Sequence, residues 1–168
     1  MSENVDGTSR NDPSPVAPTA CGDAEAHVGN YTRMRTDLLP KNKETLFDAL
    51  AAAGITVVVV TFDGGGDEGQ IESIEARNGD DPVEFPDVKI VLQRAVLDVF
   101  RKADVVALTD TLPEAVEALV YEFLSQVQEG WENGEGAYGD VTFDVQTRAV
   151  TLDFNERFID SENSKYEF

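Results

Sequence analysis

The chain has 168 residues, 33 of them acidic and 13 basic, for a formal charge of −20. Its length fits about one domain, and its charge excludes an ordinary module that holds nucleic-acid phosphates by attraction. The hydrophobic fraction of 41%, with nine Phe, four Tyr and one Trp, is enough to bury a core and excludes an acidic, wholly disordered solubiliser.

Charge divides unevenly. Residues 1–29 carry −4, 30–60 carry +1, 61–90 carry −7, 91–112 are neutral and 113–168 carry −10. Two acidic blocks therefore flank a neutral connector, an asymmetry that the fold has to explain. Cys21 and His27 are the sole residues of their types, and both lie in the low-complexity front end. No disulfide forms within one chain, and nothing demands an oxidising compartment. No apolar run reaches the ~18 residues needed to span a bilayer, and the opening residues lack the pattern of a secretory signal. The expectation is a cytoplasmic protein with no membrane partner.

Residues 1–29, rich in Pro, Ser, Gly, Ala, Asn and Asp, have little to bury and are expected to be a disordered tail. The domain is expected over 30–168. Arg33, Arg35, Lys41 and Lys43, beside Tyr31, Met34, Leu38 and Leu39, read as a short helix against the acidic body or as a partner-binding arm. A helix is expected from Asn42, a good N-cap, with Leu46, Phe47, Leu50 and Ala51 on one stripe and Gly54 as its stop. The β-branched run Ile55–Phe62 predicts a central strand apolar on both faces. The Asp63–Gly69 glycines turn it back into a second strand over 70–76.

Two prolines and a turn cluster make 77–87 a loop. The spacing of Val88, Val91, Leu92, Ala95, Val96, Val99 and Phe100 predicts a helix over 88–102, and the short apolar stretch 103–110 is compatible with either a connector or a continuation. Thr111-Leu112-Pro113-Glu114 matches a capping box with Pro in the first turn. It opens a core helix of about 16 residues carrying Val116, Leu119, Val120, Phe123, Leu124 and Val127. After the glycine-spaced loop 130–139, Val141, Phe143 and Val145 alternate with polar residues. A Gln146-Thr147 turn follows, then Val150, Leu152 and Phe154 alternate likewise, so this is a hairpin with one wet face.

These elements predict an α+β domain of two layers: a four-stranded antiparallel sheet made of two hairpins, with helices on one face. The helix–hairpin unit occurs twice, at about 43–76 and 113–154, which is compatible with a duplication. Glu129-Gly130-Trp131-Glu132-Asn133, Gly136-Ala137-Tyr138-Gly139, Phe143-Asp144-Val145 and Leu152 to Arg157 resemble an uncharacterised family of small acidic bacterial proteins. That family is found in proteobacteria and their plasmids and phages, and the likeness covers roughly 43–168. The resemblance implies an α+β domain in a mobile-element context, and it brings no activity and no catalytic residue.

Chemistry of the usual kinds is hard to assemble. An EF-hand count from Asp63 places Glu68 where Gly is required and Ile74 where the bidentate Glu belongs, so the motif fails. Gly64-Gly65-Gly66 links two strands amid acid, unlike a phosphate-cradling loop that opens a helix. Without Cys or His in the folded part, thiolate, triad and zinc chemistry have no residues. No cofactor and no catalytic residue are assigned. Trp131 and Tyr138 read either as a stacking surface or as plugs at the end of a small core. Arg148 and Arg157, set among acids, read as partners in ion pairs within the domain.

The acid itself is the remaining signal. Glu114, Glu117 and Glu122 on the capped helix, with Asp144 and Asp153 on the second hairpin and Trp131 and Tyr138 between them, form the expected partner-binding set. Carboxylates held on a rigid scaffold can occupy a basic nucleic-acid channel and gain the electrostatic steering that DNA gains. The expectation is a non-enzymatic interaction protein that contacts a basic protein surface and not nucleic acid directly. The alternative is a divalent-cation site or carboxylate-based enzyme built on the Asp63–Glu72 hairpin.

Overall fold

Strand β1, Val57–Gly65, alternates half-buried and buried residues along its length, and the rest of the molecule is arranged around it. A computed structural model describes residues 20–66, 68–100, 102–160 and 162–167, with side chains described from Val28 onward. The elements in chain order are α1 (Ala20–Ala52), β1, β2 (Glu68–Asn78), β3 (Asp81–Val83), β4 (Lys89–Leu97), β5 (Ala103–Thr111), α2 (Leu112–Val127), β6 (Ala137–Asp144) and β7 (Ala149–Glu156). Strands β3-β2-β1-β6-β7 make one five-stranded sheet, and β4-β5 a separate two-stranded ribbon. All the pairings are antiparallel. The architecture is the expected α+β one, with the sheet one strand larger and a ribbon added.

The two predicted hairpins are present and meet along β1 and β6, Val60 opposite Val141. One face of the sheet presents Val58, Val60, Phe62, Ala76, Val141 and Phe143, all buried, against Leu46, Phe47 and Leu50 of α1 and Val116, Leu119, Val120 and Leu124 of α2. Phe47 meets Phe143 edge-on at 6.2 Å between ring centres. Each such fully buried side chain contributes about 1.5–3 kcal/mol. Between Thr61 and Phe62 the β1–β2 register shifts, leaving Glu72 as the extra residue of a bulge,. In topology, a two-fold axis between β1 and β6 carries the first helix–hairpin unit onto the second, the arrangement that a duplication would leave.

Between 77 and 111 the structure corrects two expectations and resolves one stretch that pattern left open. The helix predicted over 88–102 is strand β4 and the turn after it. Its 3.6-residue spacing competes with an equally good alternation, since Ile90 and Leu92 are buried between exposed Lys89, Val91 and Gln93, and Val88, Ile90, Val91, Val96 and Val99 favour extended backbone. Residues 103–110, undecided from pattern, are β5, the return strand of that ribbon. The loop 77–87 contains the short edge strand β3.

The helix expected to start at Asn42 instead starts at Ala20 and runs through Pro40. Leu38 and Leu39 are buried with Leu46, Phe47 and Leu50, so the apolar stripe reaches upstream and holds the helix together despite the ring. Of the tail expected over 1–29, residues 1–19 lie outside the described residues. The capped helix α2 begins as predicted: the Glu114 carboxylate accepts from both the backbone N–H and the hydroxyl of Thr111, each at 2.8 Å. Among the described residues, no helix is long and apolar enough to cross a membrane.

Candidate functional site

With α1 and α2 on the Val58–Phe143 side, the other face of the five-stranded sheet has no helix over it among the described residues. Alternation decides what stands there. The cross-strand rows are Arg77–Val57–Asp144–Ala149, Glu75–Val59–Thr142–Thr151, Ser73–Thr61–Asp140–Asp153 and Gln70–Asp63–Tyr138–Asn155. These rows hold five carboxylates on one surface, and Glu68, opposite Gly65, adds a sixth at the hairpin tip. Two are neutralised locally: Glu75 pairs with Arg77 at 3.1 Å, and both oxygens of Asp63 accept from Arg157, at 2.8 and 3.0 Å. Asp140, Asp144 and Asp153 form no ion pair among the described residues.

Asp140 and Asp153 stand directly opposite each other on neighbouring strands. Like charges so placed destabilise a sheet. Asp140 is partly steadied by the Thr61 hydroxyl, which donates to it at 2.7 Å, and the Asn155 amide donates to Asp153 at 3.3 Å. Neither contact removes charge. Asp144 ends the row as the cap of the β6–β7 turn, where the Thr147 N–H donates to it at 3.0 Å. That backbone bond, the larger cause, holds its carboxyl below the ordinary carboxylate value.

The expected partner-binding residues divide between two layers. Asp144 and Asp153 are on the open sheet face, joined there by Tyr138, which is 44% exposed with the Arg157 guanidinium 4.6 Å above its ring. Glu114, Glu117 and Glu122 are on α2, in the layer behind the sheet. Glu114 serves the helix cap, and the Thr111 backbone N–H, the larger cause, lowers its carboxyl pKa. Glu122 receives a two-pronged bond from Arg35 at 2.8 and 3.0 Å, joining α1 to α2. Glu117 lines a shallow depression with Arg94, Asp110 and Glu114.

Trp131 is 5% exposed and plugs the end of the core, 5.4 Å from Phe62 in an edge-on pair. It lies against Gly64 and Gly69, where an added Cβ would come within 2.6 and 2.8 Å of its ring. Arg148 and Arg157 do form ion pairs within the domain. Arg148, at φ 54° in the β6–β7 turn, reaches Glu44 and Asp48 of α1. Arg157 also donates to the Gly64 carbonyl at 2.9 Å, closing the sheet end beside Tyr138.

The hairpin tip groups Asp63, Gly64, Gly65, Glu68, Gln70 and Glu72 around a shallow hollow. Arg157 occupies Asp63 there, and Glu72 accepts from the Gln70 amide at 2.7 Å. Among the described residues, no three His, Cys, Asp or Glu side chains are grouped to hold a metal ion. A cleft of about 260 Å³ between α1, β4 and α2 is lined by Leu38, Leu39, Leu92, Leu119 and Tyr121. Its polar groups are already paired, Arg35 with Glu122 and Asn42 with Gln93 within the cleft and Arg94 with Asp110 beside it.

The Asp140–Asp153 opposition was within reach of sequence reading. A two-residue Gln146-Thr147 turn fixes the pairing register, and continuing that register down the strands sets Asp140 against Asp153. Arg157 closing onto Asp63 carried no such signal, because the two residues are distant in sequence.

These features define a class: an acidic α+β domain with one sheet face covered by helices and the other, among the described residues, open. The chain belongs to the Family of unknown function (DUF6878), whose model matches residues 38–168. That match begins at Leu38, the first buried residue of α1 from Val28 onward, and takes in all the described strands. No curated protein and no solved structure matches the chain.

Proposed function

We propose that the protein is a non-enzymatic interaction protein whose uncovered sheet face presents carboxylates to a basic protein surface, competing there with nucleic acid. The observation that carries this reading is the Asp140–Asp153 pair. A sheet under no demand but stability would put opposite or neutral residues at directly facing positions, whereas this one places two carboxylates there and leaves both exposed, with Asp144 on the same strand. Such a surface accelerates encounter with a cationic groove and releases the counterions held by both partners. A host or defence protein that binds DNA or RNA is the partner class this suits, in keeping with the mobile-element context that the sequence resemblance implies.

The test is capture from bacterial lysate at low and high salt, followed by direct titration of the protein retained. Binding is expected to fall steeply with salt and to be competed by duplex DNA; retention insensitive to both overturns the reading. Asp140→Asn with Asp153→Asn should weaken binding at least tenfold without unfolding the domain, because neither residue carries a fold-holding ion pair. For the rival reading, a cation at the Asp63–Glu72 hairpin would have to displace Arg157. Magnesium or calcium at millimolar levels should then raise the melting temperature, and we expect no such rise.

A further inference from the structure

Ribbon β4–β5 is a separate sheet of two strands, and such a sheet has two open edges. The fold treats them differently. On the β4 side, α1 covers the edge: the Asn42 side-chain Nδ2 donates to the Gln93 backbone carbonyl at 2.7 Å, and the Gln93 backbone N–H donates to the Asn42 Oδ1 at 3.0 Å. Backbone groups in an antiparallel ladder point alternately toward and away from the partner. With Gln93 pointing outward, Ala107 opposite it points outward from β5, and so do Ala103, Val105, Thr109 and Thr111.

Two of these outward N–H groups are already occupied. Glu114 takes that of Thr111, and the Asp104 side chain takes that of Val105 at 2.8 Å, which fits the deduced alternation. No backbone bond of the described residues reaches Ala107 or Thr109 from outside the ribbon. Asp104, Val105, Ala107, Leu108 and Thr109 are all exposed.

We propose that this β5 edge pairs with the same edge of a second copy, antiparallel about a two-fold axis at Val106, to make a continuous four-stranded sheet. Charge selects both the place and the register. Residues 91–112 carry three acids and three bases in a chain of −20, so two copies repel least here. With Val106 on the axis, Lys102 of each copy faces Asp110 of the other, Val105 faces Ala107 and Ala103 faces Thr109. With the axis at Ala107, Asp104 would face Asp110 twice, a like-charged arrangement that costs stability. The axis at Val106 joins the outward groups of Val105 to those of Ala107, the Ala107 carbonyl of the other copy replacing the Asp104 side chain on the Val105 N–H, and leaves Val106 itself as a non-hydrogen-bonded pair.

Sedimentation of the full chain should show a mass of twice 18.3 kDa, with the dimer fraction rising with concentration. Added salt should favour the dimer by screening the repulsion between the two acidic bodies, the reverse of what the proposed basic partner requires. The two readings therefore fail separately. Ala107→Pro removes an outward N–H and no bond of the ribbon itself, and should return the monomer. Lys102→Glu should weaken association about tenfold, from two altered cross-strand pairs.

In a Cys21→Ser background, Val106→Cys should cross-link under mild oxidation, because non-hydrogen-bonded partners bring their Cα atoms to about 4.5 Å, within disulfide reach. Ala107→Cys should not. A mass of 18.3 kDa at every concentration overturns the proposal, as does a dimer that Ala107→Pro leaves intact or cross-linking at Ala107→Cys alone. If Ala107→Pro lowers the melting temperature, the cysteine pair decides, since neither cysteine variant disturbs a backbone bond.

Discussion

Trp131 depends on glycines that are remote from it in sequence. Gly64 and Gly69 provide the flat seat under its ring, and any Cβ at Gly64 would lie 2.6 Å from the ring and 3.1 Å from the Glu132 backbone. Gly64→Ala should therefore cost about 1–3 kcal/mol by overpacking, and Trp131→Ala about 3–5 kcal/mol by emptying the end of the core. As the chain has one Trp, its fluorescence should shift toward the exposed range in Gly64→Ala before the domain unfolds, and denaturant titration gives the stability loss.

The carboxylates at caps give a pH signature. Glu114 and Asp144 are held below their ordinary values of 4.5 and 3.8 by backbone N–H donors. A depressed folded-state pKa adds stability above the unfolded value and loses it as pH falls through the folded one. The melting temperature should thus be insensitive to these groups near neutrality and fall on acidification. Replacing both with their amides should lower it at neutral pH and flatten that acid limb.

Much of the element level was legible in sequence because the local signals agreed. Thr111 to Glu114 announced α2 by cap chemistry, and the Val57–Val60 run and the alternation about Gln146-Thr147 announced the strands. Where two periods fitted the same residues, pattern misled. From Val88 into β4, Val88, Val91, Leu92, Ala95 and Val96 satisfy a helical stripe, but the ribbon buries Ile90 and Leu92 and leaves Val91 54% exposed. The partner that settles the matter, β5, is itself a short apolar run without punctuation. Asn42 shows the same ambiguity at a single residue: its N-cap chemistry is real, yet inside α1 its amide is spent on the β4 edge. Asn42→Ala should cost about 1–2 kcal/mol by leaving two edge groups without their protein partner, and the Gln93 amide should exchange faster with solvent than its neighbours in β4.

At the scale of the whole molecule, charge and topology act together. The sequence located the acid in two blocks, 61–90 and 113–168, and each block supplies one hairpin of the five-stranded sheet. Antiparallel pairing of β1 with β6 sets the blocks side by side, and alternation sends part of their acid to one uncovered face. Sequence placed Glu114 in a capping box but could not show that Glu122 would be neutralised by Arg35, because a tertiary contact between α1 and α2 decides it. Over the middle of that face this leaves Asp140, Asp144 and Asp153 without ion-pair partners among the described residues.

A carboxylate pair retained for binding should be a liability to the free protein, and that expectation separates function from accident. Asp140→Asn, which keeps the contact with the Thr61 hydroxyl, should raise stability by about 0.2–1 kcal/mol by relieving its repulsion with Asp153, with the gain shrinking as salt screens the pair. Asp153→Asn should do the same, and the double variant should gain less than the sum of the two, because one substitution already removes the shared repulsion. Denaturant titrations of the four proteins at low and high salt close that cycle. Additive gains, or a loss in either single variant, would mean that the two aspartates do not repel across the strands, and the main reason for reading this face as a binding surface would be gone.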